Sequence, residues 1–142
     1  LFTQVTARAA FSIRASGQFT TLGGSRFRDA LGLRPAVSYR FTDHSVTEFA
    51  WSVTDNDYRA NVAQAFSRDG ESQAYSAVHS FRMPGTNWSG AVGATYGRNR
   101  TEGGDFVSDS LGVSGTLRYA FPNRIVAAVG AGASRDDYGN PN

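Results

Sequence analysis

The run Val107-Ser108-Asp109-Ser110-Leu111-Gly112-Val113-Ser114-Gly115-Thr116-Leu117-Arg118-Tyr119-Ala120-Phe121 decides the fold class. Val107, Leu111, Val113, Leu117, Tyr119 and Phe121 share one parity, and Ser108, Ser110, Gly112, Ser114, Thr116 and Arg118 share the other. Successive side chains of a strand point to opposite faces, so a period of two marks a strand with one apolar and one polar face.

The same period recurs on both sides of it. Leu1–Arg14 sets Leu1, Thr3, Val5, Ala7, Ala9, Phe11 and Ile13 against Gln4, Thr6, Arg8, Ser12 and Arg14. Asp29–Phe41, Val46–Thr54, Ser72–Met83, Trp88–Arg98 and Arg124–Ser134 repeat the alternation and, with Phe106–Phe121 around the first run, give seven expected strands. Ser72–Met83 is the least regular, because His79 shares a parity with Tyr75, Ala77 and Phe81. Short turns are expected at Thr42–Ser45, Pro84–Asn87 and Pro122–Asn123. Longer polar connections are expected at Ala15–Arg28, Tyr58–Glu71, Asn99–Asp105 and Arg135–Asn142. Short turns at one end and long loops at the other are the habit of outer-membrane barrels.

Composition agrees with an all-β chain. Of 142 residues 16 are Gly, 13% are aromatic and only 18% are charged. The mean hydropathy of −0.35 and the lack of any apolar run of about 18 residues exclude a membrane-spanning helix. They do not exclude a membrane barrel, whose strands alternate and average to mild polarity. Cysteine is absent, so neither a disulfide framework nor a thiolate metal site is available. All 14 basic residues are Arg, and a net charge of +2 without a dense basic run gives no case for nucleic acid. Leu1 stands inside an alternating run, which leads to the expectation of one barrel domain, 1–142, cut from a longer precursor.

Aromatic residues cluster toward the two strand ends. Tyr39, Phe41, Phe49, Phe81, Trp88, Tyr119 and Phe121 stand toward the short turns, and Tyr58, Tyr75, Tyr96, Phe106 and Tyr138 toward the long connections. Of these, Tyr39, Phe41, Tyr58, Trp88, Tyr96, Tyr119, Phe121 and Tyr138, together with Trp51, are the candidate membrane-interface residues, since aromatic rings favour the headgroup level. Arg8, Arg14, Arg34, Arg40, Arg82 and Arg118 fall on the polar parity beside a single acid, Glu48. These seven are the candidate lumen-facing residues. They form either a positive lining that favours anions, or an interior ladder paired with acids from further strands.

Catalytic and metal chemistry have little to stand on. His44 and His79 are far apart, no Ser-centred arrangement stands out, and no enzyme activity, cofactor or metal is expected. Asp55, Asp57, Asp136 and Asp137 offer oxygen ligands to a hard cation. Solvation of loop ends explains them more simply.

Three stretches carry a family resemblance: Leu31-Gly32-Leu33-Arg34-Pro35 with Val37-Ser38-Tyr39-Arg40-Phe41, then Ser67-Arg68-Asp69-Gly70, then Ser134-Arg135-Asp136-Asp137-Tyr138-Gly139-Asn140. They resemble the C-terminal barrels of Gram-negative export proteins that carry periplasmic tetratricopeptide repeats, such as surface lipoprotein assembly modifiers. The resemblance implies a barrel that moves a lipoprotein or a polymer outward.

The expectation is therefore an antiparallel transmembrane β-barrel portion in the bacterial outer membrane, serving export or passive passage of solutes. Its partners would be outer-membrane lipid, an exported lipoprotein or polymer, and further strands from missing sequence or another copy. The rival expectations are a soluble secreted β-sandwich acting as a binding module, and a membrane anchor whose loops bind partners.

Overall fold

The computed structural model describes residues 1–58, 69–102 and 107–139. Among them every regular element is a strand: β1 (Phe2–Gln4), β2 (Ala9–Leu22), β3 (Ser25–Thr42), β4 (Ser45–Tyr58), β5 (Gly70–Arg82), β6 (Trp88–Thr101), β7 (Ser108–Ala120) and β8 (Val126–Tyr138). The strands pair antiparallel with their chain neighbours to form one eight-stranded sheet. No pairing joins β1 to β8 among the described residues, so the sheet is open.

Eight strands replace the expected seven because the first alternating run breaks. The Thr6 hydroxyl accepts hydrogen bonds from the Arg8 and Ala9 amides, at 3.2 and 2.9 Å, and folds residues 5–8 into a turn. Phe2–Gln4 then returns against Ala10–Ser12. The expected long connection Ala15–Arg28 is instead a hairpin that carries β2 and β3 out to Leu22↔Ser25. Gly23 and Gly24 close it with φ of 59° and 84°, as a two-residue turn matching the strand twist requires.

Strands also run further than the alternation alone shows. Asp55 and Asp57 lie within β4, and Asp136 and Asp137 within β8, so they are strand residues and not loop ends. Of the expected connections Tyr58–Glu71 and Asn99–Asp105, residues 59–68 and 103–105 lie outside the described residues, as does Phe106. Asn99–Thr101 belong to β6 and Arg135–Tyr138 to β8, so the pairing runs on where connections were expected.

Cross-strand partners share a face, and one row crosses the sheet: Phe11, Val37, Phe49, Ala77, Ala94, Val113 and Ala133. That apolar face is exposed, with Leu31 and Val129 at 69% and Phe49 at 58%. The buried side chains are small ones of the other face, Ala36 at 4% and Ala50 at 8%. A compact fold of this mass would expose about 7,100 Å², whereas this chain exposes 10148 Å². A single layer with one apolar face is stable only when something covers that face.

Candidate functional site

The hairpin ends give the sheet its geometry. The last cross-strand pair before each short turn is Val5/Ala9, Thr42/Ser45, Met83/Trp88 and Phe121/Ile125. Measured from the row through Phe11 and Ala133, these pairs lie two, four to five, six and eight residues down their strands. The descent is one residue per strand. One step of about 3.4 Å along for every 4.8 Å across puts the strands at about 35° to the normal of the line of turns. Each residue then climbs about 2.8 Å along that normal.

On this slant the apolar face resolves into level bands. Phe41, Met83, Trp88, Phe121 and Ile125 lie at or beside the closing pairs, with Phe81 and Tyr119 two steps above their own. Four steps up stand His79, Val92, Leu117 and Val129. Eight steps up stand Tyr75, Tyr96, Val113 and Ala133, with Trp51 a little lower. Gln73, Arg98 and Arg135 follow at ten steps, and Glu71, Arg100, Asp109 and Asp137 at twelve.

No charged side chain stands on this face between the turns and the ten-step level, among the described residues. At about 2.8 Å per residue the last uncharged level stands about 22 Å and the first charged level about 28 Å above the turns, a charge-free band of about 25 Å. Aromatic rings edge it at both levels. Below, Tyr39–Phe41 and Tyr119–Phe121 pack edge to face and Trp88–Tyr119 at a tilt, at centroid distances of 4.7–4.9 Å. Trp51–Tyr75–Tyr96 stack above, at 6.5 and 6.3 Å.

The polar side chains that do interrupt the band satisfy each other. His79 Nδ1 and Thr47 Oγ1 lie 2.8 Å apart across β4 and β5, and the imidazole packs beside Phe41 and Phe81. Above the band the charges of β6, β7 and β8 pair. Asp109 meets Arg98 and Arg100 at 3.4 and 3.2 Å, and Arg135 meets Asp137 at 2.9 Å.

The sequence-predicted residues fall into place unevenly. Tyr39, Phe41, Trp88, Tyr119 and Phe121 edge the lower level, and Trp51 and Tyr96 the upper. Tyr58 and Tyr138 do not join it: both carry the parity of the polar face and sit at the strand ends beyond the charged levels. Tyr58 packs instead on Phe27 and under Arg28. The four aspartates considered for a cation are split between β4 and β8, and no group of three metal-ligating side chains gathers among the described residues.

Arg8, Arg14, Arg34, Arg40, Arg82, Arg118 and Glu48 all carry the parity of the small residues of the second face, in the row sense set by Ser12, Ala36, Ala50, Ser76 and Thr95. Arg34 lies directly across from Arg14 and bonds Glu48 at 2.7 Å. Its charge is therefore offset within the chain, which sequence parity alone did not show. At the far end of this face Arg28 bonds the buried Asn56 side chain, with Asn56 in turn 3.4 Å from the Ser72 hydroxyl.

Comparison with protein family models, curated proteins and solved structures gave no match.

Proposed function

We propose that this chain is part of the wall of a transmembrane β-barrel in a bacterial outer membrane, and that the barrel passes solutes or an exported molecule. One observation carries the reading: the charge-free, aromatic-edged band of about 25 Å, the height of the apolar belt of outer-membrane barrels, on strands with a slant close to theirs. Lipid is the natural cover for that face. The second face, lined by Ser, Thr, Gly, Ala and Arg, would then turn toward the lumen.

A sandwich module would need a second sheet against Val113 and Phe49. Every described strand lies in one sheet, which favours the barrel. Lipid also demands closure, since each unpaired backbone group in hydrocarbon costs several kcal/mol. The outer edge of β8 and the part of β2 above Ser12 need partner strands, from the rest of the protein or from another copy. The resemblance to export barrels that carry tetratricopeptide repeats suits an outward cargo such as a lipoprotein or a polymer.

Reconstitution of the full-length protein into a planar bilayer tests this reading. The expected result is stable insertion with stepwise ion conductance. Insertion without conductance would leave a membrane anchor, and failure to insert would leave the soluble module.

A further inference from the structure

The arginines of the polar face are not equivalent. Arg34 is matched by Glu48, whereas Arg8, Arg40, Arg82 and Arg118 have no ion-pair partner among the described residues. These four also lie toward one end of the face, each within three residues of its closing pair. Arg8 lies in the first turn, Arg40 two residues before Thr42, Arg82 at the end of β5, and Arg118 three residues before Phe121.

Arg8 and Arg40 are neighbours across β2 and β3, where the Arg40 amide donates to the Arg8 carbonyl at 2.8 Å. Arg82 and Arg118 flank Ser89 on either side of β6, about 10 Å apart at the usual strand spacing. That separation is close to the Debye length of about 8 Å at physiological ionic strength, so their fields overlap. Two troughs open between them. One of about 570 Å³ holds Arg82, Arg118, Ser80, Ser89 and Thr116, with Asp43 of the turn as its acid. The other, about 260 Å³, holds Arg8, Arg40, Gln4 and Ser38.

Like charges side by side on a sheet repel. The Arg14/Arg34 pair relieves this through Glu48, and the Arg8/Arg40 pair has no such acid. Guanidinium forks among hydroxyls form a donor set suited to oxyanions. We infer that the short-turn end of the polar face is an oxyanion-binding belt, formed by Arg8, Arg40, Arg82 and Arg118, that selects phosphate- or carboxylate-bearing solutes. The inference rests on the barrel reading for its place at a lumen mouth, and on the sheet alone for its chemistry.

Titration calorimetry with inorganic tripolyphosphate on the full-length protein in detergent micelles tests it. The wild type should bind, more weakly as sodium chloride rises. Arg40→Gln with Arg82→Gln and Arg118→Gln should weaken binding at least tenfold, and the corresponding Arg→Lys set, which keeps the charge but not the fork, should restore only part of it. Arg98→Gln with Arg100→Gln and Arg135→Gln removes the same charge from the opposite face and should leave affinity within twofold. Equal loss in both glutamine sets, or no binding by the wild type, overturns the belt. Binding by a protein that fails to enter vesicles overturns the barrel reading while upholding the belt; insertion without binding does the reverse.

Discussion

Val92→Arg will block insertion of the protein into lipid vesicles, while Ala91→Arg beside it will not. Val92 stands four residues above its closing pair on the apolar face, 54% exposed and about 11 Å up a band of about 25 Å. Arginine facing lipid near the midplane costs about 2–4 kcal/mol, falling to about 0–1 near the interfaces. Ala91 has the opposite parity, opposite Ser80 and Thr116, where a guanidinium joins a polar lining. Val113→Arg supplies the grading. Although mid-strand in sequence, Val113 stands eight steps above its closing pair, level with Tyr75 and Tyr96. Its cost should fall in the interfacial range. Folding yield into vesicles, read by the shift in electrophoretic mobility of unheated samples, should rank Ala91→Arg above Val113→Arg and Val113→Arg well above Val92→Arg. Equal yields for all three would remove the lipid-facing assignment.

The second large effect belongs to Gly70→Ala. Gly70 opens β5 with φ of 147°, a region that side chains other than hydrogen rarely enter. A Cβ there would run into the Arg100 carbonyl oxygen and lie 2.8 Å from Thr101 Cα. Both obstacles are backbone of the paired strand, so relief requires β5 and β6 to part at Gly70↔Thr101. Strain of this kind costs about 1–3 kcal/mol before any lost pairing is counted. Gly85→Ala is the matched control. Gly85 also has a positive φ, 70°, but nothing lies within 4 Å of its Cβ position, so only the backbone cost of about 1–2 kcal/mol remains. Urea unfolding of vesicle-inserted protein should show Gly70→Ala clearly less stable than Gly85→Ala. The same stability for both would contradict the close β5–β6 approach.

Much of the sheet was legible because period-two alternation is a local property. Strand identity, the two faces and the short turns at 42–45, 84–87 and 122–123 all follow from it. Where alternation is interrupted, the reading slips. The Thr6 side chain ends β1 through two hydrogen bonds that parity does not register. The Gly23-Gly24 pair is the available signal for the β2–β3 hairpin, but the polar residues around it carry the composition of a loop. Depth was the larger omission. Strand centres and band centres differ when strands slant, so Val113 reads as central by sequence and as near-interfacial by register. Pairing across strands was equally hidden: neither Arg34–Glu48 nor Thr47–His79 has a spacing in sequence that announces it.

The central claim is that the apolar face meets lipid along a slant of one residue per strand. Spin-label depth scanning tests it most directly, because a chain without cysteine accepts single labelled thiols without background. In vesicles, labels at Val92 and Ala94 should collide with oxygen, and labels at Ala91 and Thr95 with a water-soluble nickel complex. Val92, Leu117 and Val129, each four residues from its closing pair, should report one common depth. Loss of the alternation, or a common depth for Ala94, Val113 and Ala133 along the hydrogen-bonded row instead, would contradict the account.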